Sequence, residues 1–507
     1  ATPIAAISNF FRGQPFNYQR QGLTRRPHVR TWEESAFVQD DWRVMPSLTL
    51  NMGLRYDIFT APNEKDGFFS NLDLNTATLT VNSTGGVRTN YTNLAPRFGF
   101  AYTPMPNTVL RGGFGLSFYA NDVQNAFYLQ NPPYAFATGT LTSNTPISQG
   151  VVAFPSAVST TALSGALWAK PYNYKNAYVE QFNLLLQRDF KGNVVTVGYV
   201  GELGRHLNAQ IPNYNLPAPS GTAAVPALRY AAQLPNVNTI QYFGSFAVSN
   251  YHSLQTSFER RLSHGLTLNA NYTLAHAMDN TNNQGTEGDG VYGLQPAIIS
   301  RYDYGNSTLD VRHRIAATAN YAIPFKGGRA ATWLLGNWQV NALMFLQTGT
   351  PFAVTSNVTQ NGRAYINLPT VTSDRPDRVV GVPLYSSSRS ATGGYLNPAA
   401  FARQAVGTPG NVGRNILYGP HQRRADLSLF KTFPIRETLA LQFRAECFNI
   451  SNTPNFAQPG GTINSYASTP DASGRFIATG AGNFGISTST AAGSAARQYQ
   501  FAAKITF

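Results

Sequence analysis

The residues able to do chemistry are few and scattered. The 507-residue sequence holds 38 Lys plus Arg against 24 Asp plus Glu, seven histidines and one cysteine. No Walker A, G-x-S-x-G or H-E-x-x-H pattern occurs, so no phosphate cradle, nucleophile elbow or zinc-protease helix is written into the chain. His28, His206, His252, His264, His276, His313 and His421 fall at no zinc-ligand spacing. His313, between Arg312 and Arg314, reads as structural. Cys447 has no partner, which excludes a disulfide scaffold, and reads as a small apolar residue near a strand end. Asp279-Asn-Thr-Asn-Asn-Gln-Gly285, with Glu287 and Asp289, offers oxygen ligands of the kind calcium takes. Its glycine falls one position late for an EF-hand loop and no helix pair is expected around it, so no metal and no cofactor is assigned. The net charge of +14 invites a nucleic-acid reading. The arginines are spread over the chain with no basic helix or stripe, so no nucleic-acid partner is expected.

Composition narrows the class. Charged residues are 12% of the chain, about half the ~25% of soluble domains. Aromatics are another 12%, with 26 Tyr and 32 Phe. Low charge with many aromatics excludes charge-driven disorder. No apolar run approaches the ~18 residues of a membrane helix. Residue 1 is Ala and the first methionine is Met45, with no signal peptide ahead of it. A processed terminus or a fragment of a longer chain is the expectation. No linker or composition shift divides the chain, and Pro/Gly-rich segments recur at intervals, as in one repeating architecture.

Period-2 alternation dominates. Leu48, Leu50, Met52, Leu54 and Tyr56 share one face, and Thr49, Asn51, Gly53, Arg55 and Asp57 share the other. That is a strand with one apolar and one polar side. The pattern predicts about thirteen strands, near 34–44, 48–57, 94–103, 108–119, 177–190, 194–202, 251–262, 266–277, 311–323, 334–347, 423–433, 438–449 and 497–507. The segments 334–347 and 423–433 are weaker in phase. Connections alternate strictly. Short turns fall at Met45–Ser47, Pro104–Asn107, Lys191–Asn193, Ser263–Gly265, near Pro324–Thr332, and at Pro434–Thr438. The long loops are 58–93, 120–176, 203–250, 278–310, 348–422 and 450–496.

A soluble sandwich has no reason to gather its long loops at one end. A transmembrane antiparallel β-barrel does, with short periplasmic turns and long extracellular loops. Strands of about ten residues suit a tilted crossing, and closure leaves no backbone group unpaired in lipid. A soluble all-β fold, such as a sandwich or propeller, is the alternative, but no blade repeat is present. The strand count adds a constraint. Single-chain bacterial barrels have even strand numbers, and the first and last predicted strands both run inward. Residues 1–33 then read as the end of an extracellular loop, and 34–507 as the C-terminal part of a barrel of about 22 strands.

The polar phase carries Arg55, Asp57, Arg97, Arg111, Glu259, Arg314, Arg444 and Glu446. Charges are tolerated in a wet lumen and costly against lipid, so these eight are expected to face the lumen. Neighbours on one face, such as Arg444 and Glu446, could equally pair with each other or across the wall. Tyr56, Tyr102, Phe118, Tyr272 and Tyr321 lie on the apolar phase and fit interfacial girdles. The excess positive charge could meet lipopolysaccharide phosphates.

Several stretches resemble one family. Residues 36–57 (AFVQDDWRVMPSLTLNMGLRYD), 94–116 (LAPRFGFAYTPMPNTVLRGGFGL) and 309–325 (LDVRHRIAATANYAIPF) look like TonB-dependent outer-membrane receptors. Residues 395–456, from YLNPAAFA through GRNILYGPHQRRADLSLFKTF to QFRAECFNISNTPNF, resemble the Oar-like subgroup, whose members often carry an N-terminal carboxypeptidase-regulatory-like domain. The last strand, with Tyr499, Phe501 and Ile505 in step and ending on Phe507, is similar to the signal read by the barrel assembly machinery. The resemblance implies active uptake across the outer membrane, driven through the TonB complex, with the eight polar-face charges meeting a plug domain inside the barrel. No plug, TonB box or regulatory-like domain is recognisable in these residues. It implies no enzyme. A passive porin, a surface adhesin and a soluble carbohydrate-binding module are the alternatives.

Overall fold

Alternating strands with two distinct faces fold here into one large antiparallel sheet. The computed structural model describes residues 11, 18–20, 26–120, 129–134, 139–141, 163–211, 213–217, 227–280, 303–325, 327–356, 375–405, 408, 410–436 and 438–507. Thirteen strands follow one another across the sheet in chain order. They are β1 (Glu33–Met45), β2 (Leu48–Phe59), β3 (Leu94–Met105), β4 (Thr108–Phe118), β5 (Tyr178–Phe190), β6 (Asn193–Ile211) and β7 (Asn236–Ser263). The remainder are β8 (Leu266–Asp279), β9 (His313–Ala322), β10 (Trp338–Gln347), β11 (Gln422–Pro434), β12 (Ala440–Phe448) and β13 (Gln498–Thr506). Each is a strand predicted from the alternation. Among the described residues, β1 pairs within this sheet only with β2, and β13 only with β12.

Register carries the two faces across the sheet. One row runs Trp42, Leu50, Phe100, Gly112, Leu184, Tyr199, Leu254, Leu274 and His313 from strand to strand. On the other face a row runs Thr49, Ala101, Arg111, Leu185, Gly198, Gln255, Thr273, Arg314, Gln347 and Gln422. A slip of one residue at any strand would exchange these faces, so the apolar pattern fixes the register. Where the apolar row meets glycine, a neighbour's aromatic ring covers the gap: Phe100 lies over Gly112 and Phe182 over Gly201.

The short connections lie at one end. Four are two-residue turns: Pro46-Ser47, Pro106-Asn107, Lys191-Gly192 and His264-Gly265. Lys191 and Gly192 have φ of 56° and 87°, and His264 and Gly265 have 54° and 79°. Two positive φ values in a row are the signature of the hairpin turn that matches strand twist.

Two elements differ from expectation. Residues 334–337 are not strand. Arg329–Leu335 forms a short helix, α1, between Gly328 and Gly336, and Asn337 at φ 57° breaks it before β10 starts. The sequence RAATWLL has no β-branched run to oppose the helix. The hairpin of β6 and β7 also runs far past its predicted limits, through residues placed in the loop 203–250. Bulges beyond Gly204 bend it, and Ser164–Ala169 pairs in parallel with its β7 arm.

Side chains are buried at the long-loop end. One pair of clusters gathers Phe69, Leu129, Tyr174 and Phe243, and beside them Leu72, Leu167, Val237 and Ile240. Another gathers Phe352, Leu396, Phe401, Leu417, Ile463 and Phe484. The long loops thus pack into a canopy with its own cores. Elsewhere, large apolar side chains such as Phe98, Leu184, Leu186, Leu254 and Phe443 are exposed along the sheet.

Gly265 is the position where this geometry is least forgiving. Its carbonyl accepts from Ala322 N at 2.8 Å, and a Cβ there would collide with the Ala322 carbonyl oxygen. A Gly265→Val variant should lose ~1–3 kcal/mol from the positive φ alone. Denaturant unfolding followed by tryptophan fluorescence should show the lower midpoint, and an unchanged midpoint would refute the locked turn.

Candidate functional site

The polar face and the canopy above it are where chemistry is concentrated. All eight charges assigned to the polar phase lie on that one face, as the register requires. They are spread from β2 to β12 and form no single cluster. Arg55 Nε and Asp57 Oδ1 form an ion pair at 2.8 Å near the canopy end of β2, where the Asp57 side chain is buried. Arg97 stands between Gly53 and Gly115 on the neighbouring strands, which leave room for it. Arg111 faces Ala101 and Leu185, and Glu259 faces Val194 and Asn269.

Two of these arginines rest on aromatic rings. The Arg314 guanidinium lies 5.3 Å from the Phe345 ring centre, and that of Arg444 lies 4.8 Å from Phe430. Phe345 and Phe430 sit on the polar face, which explains the weak phase of 334–347 and 423–433. Each ring is a seat for a guanidinium on that side. Arg444 Nε donates to Gln442 Oε1 at 2.7 Å. The pairing considered between Arg444 and Glu446 is not formed; Glu446 stands between Ser428 and Gln500.

Sequence reasoning missed a further charged pair on this face. Arg424 Nε meets Asp426 Oδ2 at 2.9 Å, and Asp426 Oδ1 accepts Asn449 N at 2.7 Å. Arg424 and Asp426, with Leu343, Phe345, Asn455 and the loop Ala491–Ser494, line a cavity of ≈ 480 Å³. The two-residue spacing of Arg424 and Asp426, the same as that of Arg55 and Asp57, was the available signal.

Apolar-face residues also fall where expected. Tyr499, Phe501 and Ile505 face Cys447, Ala445 and Leu441 across the β12–β13 ladder and are all exposed; Phe507 follows the end of β13. Tyr199 and His252 stack on this face with the hydroxyl 2.6 Å from Nδ1, and Tyr272 and His313 repeat the arrangement at 2.9 Å. His313 is therefore a packing residue, as its context suggested.

The canopy is tied by buried ion pairs. Arg414 pairs with Asp279, the last residue of β8, and Arg375 with Asp303, so both pairs join the β8–β9 connection or its start to the connection after β10. Asp279, a candidate calcium ligand by sequence, is thus held by an arginine. Residues 281–302, which hold that motif from Thr281 onward, lie outside the described residues. Among the described residues no group of three or more His, Cys, Asp or Glu is placed to hold a metal.

A known family shares the sequence pattern. The family described as outer membrane beta barrel domain matches residues 1–500. This chain belongs to that family. It is a protein of the bacterial outer membrane, the sheet is barrel wall, and its apolar face is the one that meets lipid. The soluble β-fold alternative is thereby set aside. No curated protein matches the chain. Among solved structures it is similar to the outer membrane transporter YddB of Escherichia coli, at 11% identity and TM-score 0.46, over 94% of this chain and 45% of that one. The ferric enterobactin receptor PfeA of Pseudomonas aeruginosa gives 11% and 0.42, over 94% and 45%. The siderophore receptor PiuA of Acinetobacter baumannii gives 8% and 0.41, over 94% and 43%. The chain spans less than half the length of each.

One canopy group has a measurable titration. Lys170 is buried, with Nζ 4.0 Å from the Tyr174 ring centre and 5.5 Å from that of Phe243, and no hydrogen-bond partner for the amine. Burial pulls its pKa from 10.5 down to about 7. Between those values the unfolded canopy binds a proton that the folded one does not. Stability therefore rises with pH from about 7 to 10.5 and is lowest below 7. Hydrogen exchange over residues 163–177 should slow, after correction for intrinsic rate, as pH rises through that window. Lys170→Met should remove the trend; a trend unchanged in that variant would count against this assignment.

Proposed function

We propose that residues 34–507 are the C-terminal part of a TonB-dependent outer-membrane transporter of the Oar-like subgroup, working in active uptake. Residues 1–33 are then the end of an extracellular loop. The observation that carries this reading is the wall of thirteen strands, odd in number and open at both edges among the described residues, whose long connections all gather at one end. A bacterial single-chain barrel closes with an even number of strands. About nine further strands would complete the ~22 of a plugged transporter, and the polar-face charges would meet its plug.

In this reading Arg55, Asp57, Arg97, Arg111, Glu259, Arg314, Arg444 and Glu446 line the lumen. They hold the plug at rest and wet the path when it moves. Arg314 and Arg444, seated on rings, are preorganised cations; Arg55, paired with Asp57, is partly neutralised. The TonB complex would act through a segment N-terminal to Ala1. The barrel assembly machinery would read β13, with Tyr499, Phe501, Ile505 and Phe507. Lipopolysaccharide phosphates would meet cationic groups at the outer rim. Transport, and no catalysis, is the activity. The substrate would be selected by the canopy and the plug.

Cysteine pairs placed along β1 and β13, in a Cys447→Ser background within native membranes, test the wall. About nine strands spaced ~4.8 Å apart would separate these edges, so no intramolecular disulfide should form. A disulfide would mean that β1 and β13 close on each other and would sink the proposal. Uptake by the complete protein should also stop when the proton gradient is collapsed; continued uptake would point to a passive pore.

A further inference from the structure

Lys431 breaks the rule that governs the lipid-facing side. It lies on β11 between Leu429 and Phe433 on the apolar phase, with Trp338 and Phe443 beside it on the neighbouring strands. It is only 4% exposed. Its ammonium donates to the carbonyl oxygen of Gly336, at the end of α1. The Trp338 and Phe433 ring centres lie 5.4 and 4.8 Å away. No carboxylate forms an ion pair with it among the described residues. An ammonium has three protons to donate, and an uncompensated cation on a lipid-facing wall is costly.

The surroundings of Lys431 are built for an apolar chain. Leu334 of α1 and the wall residues Trp338, Leu429, Phe433, Phe443 and Phe501 line a groove of ≈ 740 Å³ that includes Lys431. The helix leaves Trp333, Leu334 and Leu335 exposed at 47%, 61% and 57%. It lies in the connection between β9 and β10, at the short-turn end, with the Trp333 ring 4.9 Å from that of Phe433. Exposed apolar helix residues and ring-rich wall ends both belong at a membrane interface. One end of the groove is thus apolar, and the other offers a cation with no anion.

We propose that this groove holds an anionic glycerophospholipid of the inner leaflet of the outer membrane. One acyl chain lies along Leu429, Phe443 and Phe501, and the phosphodiester meets the Lys431 ammonium. The lipid supplies the missing negative charge and covers the exposed side of α1. The leaflet rests on the orientation used under the proposed function, with short turns periplasmic.

The protein purified from outer membranes can be offered phosphatidylglycerol, phosphatidylethanolamine and lipid A, with retention read by native mass spectrometry. Phosphatidylglycerol should be retained about fivefold better than phosphatidylethanolamine, as for one cation near an anionic headgroup. Lys431→Gln should remove that preference and Lys431→Arg should keep it. Since Lys431 also ties α1 to the wall, Leu334→Glu gives a second arm that leaves the lysine in place; its added carboxylate should abolish the preference too. Equal retention of the two phospholipids by the unaltered protein, or a preference that survives both Lys431→Gln and Leu334→Glu, would overturn the site. A preference for lipid A over phosphatidylglycerol would overturn the leaflet and with it the assumed orientation, while the loss of any anionic preference would leave the transporter reading untouched.

Discussion

Hydrocarbon offers no partner to a backbone N–H or C=O, so a wall in lipid must pair all of them within itself. That constraint selects long antiparallel ladders, and the rest of the structure follows from it. The ladder from β1 to β13 fixes which side chains stand abreast. Because the side-chain period is two, it also fixes which face each residue joins. Trp42, Leu50 and Phe100 end up in one row because their backbones bond, and their chemistry then makes that row fit for lipid.

The same ladder distributes charge. Arginine and aspartate two residues apart share a face, and β2 and β11 both use that spacing for an ion pair. Such pairs at a wet surface contribute little stability individually. Their value lies in holding guanidinium and carboxylate groups in defined places on a face where water or another part of the protein can reach them. The rings under Arg314 and Arg444 do similar work by a different route, since a cation over a ring keeps its charge and its remaining N–H donors.

Above the wall the solvent changes and so does the stabilising logic. Water satisfies backbone groups there, and apolar burial becomes the main driving force. The canopy accordingly holds the largest fully buried side chains, including Tyr134, Phe69, Phe243 and Phe401. Its buried pairs, Arg414 with Asp279 and Arg375 with Asp303, are a different case from those on the wall face. Removing one partner of such a pair leaves a buried charge, which costs roughly 3–5 kcal/mol, so these pairs fix loop positions by making the alternatives expensive. This difference between wall and canopy explains what could be read from sequence. The strands were legible because lipid on one side and water on the other impose strict alternation, as in Leu48–Asp57. Legibility weakened wherever a third environment intruded. Phe345 and Phe430 blur the phase because they serve arginines on the polar side. Lys431 blurs it from the other side. The extended β6–β7 hairpin was missed because its outer part is buried in the canopy, where Val237, Ile240 and Phe243 answer to neighbours distant in sequence. The helix α1 was missed because seven residues between glycines are too few for a periodic signal. The candidate lumen charges were found by phase alone, but phase could not say which would be paired. Arg55 pairs with the carboxylate two positions along, whereas Arg444, with Glu446 two positions to one side and Gln442 two to the other, bonds to the amide.

Backbone pairing also governs the edges of the wall. On the apolar face β1 exposes Val38 and Trp42 at 67% and 53%, and β13 exposes Tyr499 and Phe501 at 64% and 78%. Each edge also carries a row of backbone groups unpaired within the described residues. Apolar side chains and open hydrogen-bond donors on one strand make conflicting demands: the first suit lipid, and the second cannot be left there. In the proposed reading, further strands added to the ladder meet both demands at once, covering the donors while leaving the side chains against lipid. The composition of these two strands then suits a strand with a paired neighbour on each side, as the proposed larger wall would supply.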